Sequence, residues 1–549
     1  MSTAWVYLAE LTAYDLDTQA VRVLRYSSGS GFRTGGTDTP AHTEYDAVIE
    51  QAVELSRHAF SPGTTEGQTR VGFGDLVLLN PDGDLDPILR YAIDGREVIV
   101  RRAPVGSTSL ADFVTVFRGT ADRVEYSTTR ITVKLRDRQA ALALPLQANT
   151  YAGTNVLPAG LEGVPGDLQG KRKPLVFGAV TNLELPCVNT ARLIYQAHDG
   201  ALASVDGVYD RGISLAVSGT YATLGDLLDD AQAPAAGTCK VFLDGGYVRL
   251  GSSPVGQITA DVTQGAPGDR SAAALFEAIL TRMGVAPADI RAADLAALEA
   301  QQPAPLGAAF TDTVTAADAV DVIANTVGAW WGVTADGTYR IARLRRPTGD
   351  VVHTFTADDL IGPPRSISTA DVARGMPAWA VTVRYAKNET VQADVAFGVS
   401  DARRGELAEQ WREVRVEDPT VQTAHALATT LTYDTAFRTE ADARREAERR
   451  LRLRGLRRHR FDITVLFDED TAALDIGDVV GLRHPRFGLT VTGDDVGQKF
   501  VVLGVEPDAQ TGRVTLTLWG NSFTTYNLVT HLGDFLGTDL GDFLVTDSR

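Results

Sequence analysis

The sequence predicts a mainly β chain with α+β insertions, built as several β-barrel or sandwich domains. Three observations predict it. Short segments alternate apolar and polar residues with period two, as a strand with one buried face must. Gly-containing turns separate these segments at a spacing that suits a barrel or sandwich. Between two β-rich stretches lies one interlude, residues 263–365, where the apolar period changes to that of a helix. The chain has 549 residues, 44% hydrophobic and 22% charged, enough for roughly three to four domains with ordinary cores.

The first block, 1–150, reads as β. Trp5–Ala9 and Val21–Tyr26 are short strands. Ile131, Val133 and Leu135 face inward while Thr132, Lys134 and Arg136 face out, and Phe113 to Phe117 alternates in the same way before Gly119. Asn80-Pro-Asp-Gly and Ile93-Asp-Gly supply turns, because glycine accepts the positive φ they need. A Gly- and Pro-rich stretch from Tyr151 to Lys173, ending in the basic cluster Lys171-Arg172-Lys173, reads as a linker or long loop. It opens a small β-rich domain, 151–262, whose clearest hairpin joins Lys240–Leu243 to Tyr247–Leu250 through Asp244-Gly-Gly.

The α+β domain, 263–365, starts with a helix from Ser271 to Met283, stopped by Gly284. Pro287 is placed to start a second helix to about Ala300. A third is capped by Thr315, with Asp318 in the N3 position, and stops at Gly328. Trp330–Thr334, a turn at Ala335-Asp-Gly337 and Tyr339–Leu344 then form a hairpin. The block 366–525 returns to β, interrupted by one long helix, 439–454, with the stripe Ala443, Ala447 and Leu451. The tail, 526–549, contains LGDFLGTD followed directly by LGDFLVTD (532–547), a tandem octapeptide too short to hold a core of its own. It reads either as a frayed end or as a segment that orders on a partner through Leu532, Asp534, Phe535, Leu536, Leu540, Asp542, Phe543 and Leu544.

Composition and spacing bound the chemistry. Lys+Arg is 52 against Asp+Glu 70, a formal charge of −18, which argues against a dedicated duplex-DNA binder. Two cysteines, Cys187 and Cys239, are too few for a disulfide framework and read as buried thiols or one bridge. The eight histidines include no close pair, so no zinc site is expected. Gly170-Lys171 lacks the remaining positions of a phosphate loop, and no GxSxG elbow occurs. No catalytic residue, cofactor or metal ligand is singled out, and the chain does not read as an enzyme. Residues 1–17 lack the basic start of an export signal, and no run of eighteen apolar residues exists, so neither export nor a membrane anchor is expected.

The long helix needs separate reading. From Glu440 to Arg460 there are nine Arg and four acids. This is either a solvated face with i,i+4 pairs such as Glu440–Arg444, Glu446–Arg450 and Glu448–Arg452, or a surface for a neighbour. Arg445, Arg449 and Arg452 are the candidate subunit-contact residues.

Several pieces, in order, resemble a family of siphophage and prophage tail proteins. They are Val124-Glu125, Leu135–Arg138, Gly160–Gly163, Lys173–Gly178 and Leu193–Gln196, the helix–hairpin at 315–344, and then Gly477–Val480, His484-Pro485, Phe500–Val505 and Val514–Trp519. The resemblance implies a tail-tip or baseplate hub of a long tail, similar in fold to the hubs of contractile-tail phages. It implies a homotrimer in which each chain carries two tube-like β domains, with 1–150 and 366–525 as the candidates. It implies as partners the distal tail protein ring, the tape measure protein and a central fibre or receptor-binding protein, and DNA passing through the bore without specific binding. The expected place is the virion, after assembly in the host cytoplasm. Three copies of −18 make −54, a wall that repels phosphate if the acids face the bore. A receptor- or glycan-binding tail-tip protein, with Trp330 and Trp331 stacking on sugar, and a cell-wall hydrolase are the competing readings.

Overall fold

A computed structural model describes residues 5–521, except 54–55, 62, 68–71, 157–159, 372–373, 491–494 and 509–510, together with 528–529 and 535–536. The fold is mainly β, with several sheets and shorter helices between them. It divides into two compact units, each assembled from discontinuous segments. One comprises Met1–Ala141, Trp330–Pro377 and Leu456–Arg549; the other comprises Leu142–Ala329 and Ala378–Gly455. The block 366–525 is thus shared between the units, and so is 263–365.

In the first unit a ten-stranded sheet centres on Ala20–Ser27, Trp5–Asp15, Glu97–Pro104, Val114–Tyr126, Arg130–Asp137 and Phe73–Leu79, in that spatial order. Strict alternation makes the inner face: Ile131, Val133 and Leu135 are buried with Leu11, Val98, Val100 and Phe117. The strand expected before Gly119 runs through it to Tyr126. A seven-stranded sheet is built from His353–Phe355, Val479–Leu482, Gln498–Asp508, Arg513–Gly520, His459–Leu466 and Arg365–Ile367, with Arg57–His58 as its seventh strand. Its own core gathers Phe355, Phe461, Ile463, Phe500, Leu516 and Leu518. The hairpin Ala329–Val333 with Tyr339–Arg343 lies where the sequence predicts, and Trp330 and Trp331 are both buried. Neither indole is available to stack on a sugar.

In the second unit a nine-stranded sheet runs from Cys187–Asn189 at one edge to Gly307–Phe310 at the other. Lys240–Leu250 forms the expected hairpin. Ser271 caps the helix Ala272–Arg282 and Thr315 caps Ala316–Thr326; these two helices pack together. The expected helix from Pro287 is two pieces, a 3₁₀ turn Pro287–Asp289 and a helix Ala292–Gln301. Ile290 between them is extended and buried, so core burial of its side chain breaks the run that Pro287 starts. The stretch 151–175 is not a spacer. Tyr151 and Leu168 are buried with Val188, Ile194, Tyr221 and Phe242, and the Tyr151 hydroxyl donates to Gln196 Oε1 at 2.7 Å. Ala378–Tyr385 forms a three-stranded sheet with Arg412–Glu417 and Thr429–Asp434. Two short helices the periodicity did not suggest, Asp401–Ala408 and Pro419–Ala424, start at the capping side chains of Ser400 and Asp418. Both cysteines are free thiols.

Candidate functional site

Glu440–Arg454 forms the long helix, opened by Thr439, whose hydroxyl oxygen accepts from the Asp442 N–H. It packs on the strands Ala378–Tyr385 and Arg412–Glu417. Ala443, Ala447 and Leu451 are buried as the stripe requires. The stripe is wider than apolar spacing suggests, because Glu446 and Arg450 are buried with it. Glu440–Arg444 is an exposed i,i+4 pair at 2.8 Å, as expected of a solvated face. Glu446–Arg450 is not: it is an internal ion pair at 2.7 Å, joined by Arg449. Arg450 also donates to the carbonyls of Asn325 and Thr326 and stacks over Tyr433, 3.9 Å from its centroid. Those carbonyls lie at the C-terminal end of the helix Ala316–Thr326, the negative end of its dipole, which attracts cations. Gly328 has φ +61°, and a Cβ there would lie 2.1 Å from Arg449 Nη2, so only glycine lets the guanidinium in.

The three arginines singled out from the sequence therefore part company. Arg445 is exposed and paired with Asp442. Arg452 is exposed. Arg449 is half-buried, donating to Glu446 and to the Val327 carbonyl. Two of the three present charge outward, and the third holds the chain's own interior together.

A second cluster joins the two sheets of the first unit. Arg57–His58, from the loop between two strands of the ten-stranded sheet, pairs with Gly504 and Val505 of the seven-stranded one. The Ala59 N–H donates to the Leu503 carbonyl at 2.8 Å. A Cβ on Gly504 would meet the His58 ring at 2.5 Å, so the close approach requires glycine. Asp475 accepts from Arg57 at 2.6 Å and from Arg340 at 2.9 Å. Burial works against its charge, but the two guanidiniums and the Ile476 N–H outweigh it and hold Asp475 below the usual carboxylate range. Arg340 also lies over Trp330. Beside them burial pushes Asp137 up to about 6, although it accepts from the Gly72 and Gln139 N–H groups. Arg102 lies between the Trp5 and Phe467 rings, 4.4 and 4.7 Å from their centroids. Sequence reading missed this cluster, since Arg57 and Asp475 are 418 residues apart.

The second unit has an open cleft of about 550 Å³. Leu168, Pro174, Leu183 and Pro186 give it apolar walls, and Lys171, Arg172, Glu184 and Asp312 give it charge. Glu389 also lines it, paired with Lys387 at 2.6 Å; burial nevertheless raises its carboxyl above the usual range. The basic run 171–173 was the one signal of this cleft in the sequence. Among the described residues no group of three or more His, Cys, Asp or Glu is placed to hold a metal ion, and no helix is long and apolar enough to cross a membrane.

Of the candidate docking residues in the tail, Leu532, Asp534, Leu540, Asp542, Phe543 and Leu544 lie outside the described residues. Phe535 and Leu536 form a short antiparallel ladder with Leu528 and Val529.

No protein-family model matches the chain, and no curated protein does. Solved structures do. A 43 kDa tail protein of prophage MuSo2 from Shewanella oneidensis is 12% identical, with a TM-score of 0.40, over 90% of this chain and 98% of that one. A tail protein from Neisseria meningitidis MC58 is 11% identical, with a TM-score of 0.42, over 95% and 98%. A chain from the virion of a native gene transfer agent particle is 15% identical, with a TM-score of 0.42, over 65% and 85%. All three scores are below 0.5, and the functional reading rests on the chain's own residues.

Proposed function

We propose that this chain is a structural component of a phage-type virion: a homotrimeric hub at the tail tip. It links the six-fold end of the tail tube to a distal central fibre and surrounds the channel through which DNA leaves. The observation that carries the reading is the strand Arg57–His58. It belongs to the first β block by sequence, yet it is a ladder strand of the sheet formed by 353–367 and 459–520. Each chain thereby holds two β layers as one compact unit, and three chains supply six, the number a six-fold ring needs. The pieces that resemble tail proteins support it too, because Lys173–Gly178, Phe500–Val505 and Val514–Trp519 fall in or directly before ladder strands.

Partners in this reading are the distal tail protein ring, the tape measure protein and a central fibre or receptor-binding protein. Assembly takes place in the host cytoplasm, and Arg445 and Arg452 are offered to a neighbouring subunit. Light scattering on the purified chain tests the reading: a mass of three chains is expected, and a monomer at every concentration overturns it. A class-averaged image of the tail end then gives copy number and position.

One observation favours a second reading. Glu389 is a carboxyl with a raised pKa in a cleft, which a wall hydrolase would use as its acid. A zymogram on host cell wall separates the two. Clearing that disappears in Glu389→Gln establishes the hydrolase; no clearing leaves the structural reading.

A further inference from the structure

The strand Arg57–His58 is a strap across an otherwise open sheet edge. Arg513–Gly520 takes one side of Gln498–Asp508, from Phe500 to Asp508. Val479–Leu482 takes the other side only as far as Val501. The strap continues that side: Ala59 donates to the Leu503 carbonyl, His58 lies opposite Gly504 and Arg57 opposite Val505. Two ladder residues are a weak hold by backbone alone, and the side chains add to it. His58 Nε2 lies 3.0 Å from Glu506 Oε1, an ion pair only while the imidazole carries its second proton. Arg57 lies 2.6 Å from Asp475, which Arg340 holds at 2.9 Å.

Behind the strap is a cavity of about 10 Å³, which has room for about one water. Ser56, Arg57 and His58 form one wall, and Asp137, Arg340 and Asp475 lie across from them. Asp137 is therefore nearly dry. Burial raises its carboxyl to about 6, although the Gly72 and Gln139 N–H groups donate to it and Arg57 is near. The charged and titratable groups around it are Arg57, His58, Arg340 and Asp475. Despite burial, Arg57 and Arg340 hold Asp475 below the usual range, and His58 does the same for Glu506. Both of those carboxylates keep their charge between pH 5 and pH 7.

We propose that the strap 56–59 is a proton-sensitive clasp, closed on the edge of Gln498–Asp508 while Asp137 and His58 hold their protons and loosened as they lose them. The sign follows from the cavity. Opening the strap removes one wall and lets water reach Asp137, whose carboxyl then returns toward its ordinary 3.8 and releases a proton. An opening that releases a proton becomes easier as pH rises. Through Asp137 alone the open fraction should rise about tenfold between pH 5 and pH 7. Loss of the His58 proton removes the ion pair with Glu506 and acts in the same direction. The open strap leaves 503–505 unpaired along one side, as on any bare sheet edge.

Hydrogen exchange of the full chain tests the clasp, read by mass spectrometry and corrected for the intrinsic pH dependence of exchange. Peptides over 56–61 report the strap, and peptides over 131–135 report the ten-stranded sheet. In wild type the strap should be less protected than the sheet at both pH 5 and pH 7. Its protection should fall about tenfold or more between them. Asp137→Asn should cut that fall to the part His58 supplies, and adding Glu506→Gln should remove the rest. Strap protection that does not change with pH in wild type overturns the proposal. Strap and sheet protected equally at each pH would mean that the strap opens only when the whole unit unfolds, and overturns it as well. Both of these outcomes are read on wild type, so a variant that fails to fold does not shield the proposal. A fall undiminished in a folded Asp137→Asn also overturns it.

Discussion

Glu446 lies wholly inside the protein, and Arg450, one helical turn on, donates Nε to its Oε1 at 2.7 Å. Arg449 reaches the same oxygen at 2.7 Å and the other at 2.9 Å. One carboxylate thus faces two guanidiniums. The residual positive charge is taken up by the carbonyls of residues 325–327 at the end of a second helix. The arginine excess of this helix is therefore partly an internal tie between two helices.

Removing Glu446 should be far costlier than removing an exposed partner. Glu446→Gln leaves two guanidiniums sharing one neutral oxygen, which should cost about 3–5 kcal/mol, the range for breaking a buried pair. Glu440→Gln breaks an exposed pair and should cost about 0.3–0.5 kcal/mol. Urea unfolding midpoints of the two variants decide this. Equal shifts would mean that the internal pair contributes no more than a solvated one.

Asp137 should make stability depend on pH in an unusual direction. Its carboxyl is raised from 3.8 to about 6 by burial, with the Gly72 and Gln139 N–H groups and Arg57 opposing. Between those two values the folded chain holds a proton that the unfolded chain has released. Stability from this group is therefore present at low pH and lost as pH rises to about 6, in total about 3 kcal/mol. Asp137→Asn removes the term, so the variant should gain on wild type steadily from pH 4 to pH 6 and then run parallel. Urea unfolding across that interval measures it; a constant difference refutes it.

His198 carries the opposite sign. Burial, helped by Arg282, lowers it from 6.5 to about 4, against the pull of Asp199. Its Nδ1 accepts from the Val176 N–H at 2.9 Å, which requires an unprotonated nitrogen. The unfolded chain takes up a proton below 6.5 that the folded chain refuses. Stability from this group is full above 6.5 and falls by about 3 kcal/mol as pH drops toward 4. His198→Gln keeps an acceptor and loses the titration, so its stability relative to wild type should rise as pH falls from 7 to 4.5. Chemical denaturation at both pH values is the check.

What was legible in the sequence follows the reach of each signal. Ile131, Val133 and Leu135 announce a strand because period two is local, and Thr439 announces a helix start because a cap acts over three residues. Pairs distant in the chain leave no such trace. Arg57 and Asp475 look like any basic and acidic residues until the fold brings them within 2.6 Å. The crossings between units are equally silent: those at 329 and 455 coincide with helix ends, but a helix end does not say that the chain passes to another unit. Phe397 follows Val395-Ala396 in the chain, yet its ring is exposed while Val395 is buried, which no local pattern announces. The charged helix misleads for a related reason: spacing identifies which residues pair but not whether water reaches the pair.

The tandem octapeptide should behave as an attachment point separable from the body of the protein. Each copy offers Leu, Phe and Leu beside two Asp, a pattern with apolar anchors and charge but no room for a core. In the proposed role these side chains are the anchors that the fibre binds. Deleting 532–547 removes none of the residues in the two sheets of the first unit, so the trimer expected of this chain should form as in wild type. Fibre attachment should be lost. Two copies of one anchor also predict a graded effect: deleting 540–547 alone should weaken attachment, because the remaining copy still binds but the gain from linked sites is gone. Light scattering for the trimer and electron microscopy of assembled tails for the fibre read the two properties independently. Normal fibres on tails built with the full deletion would remove the docking role.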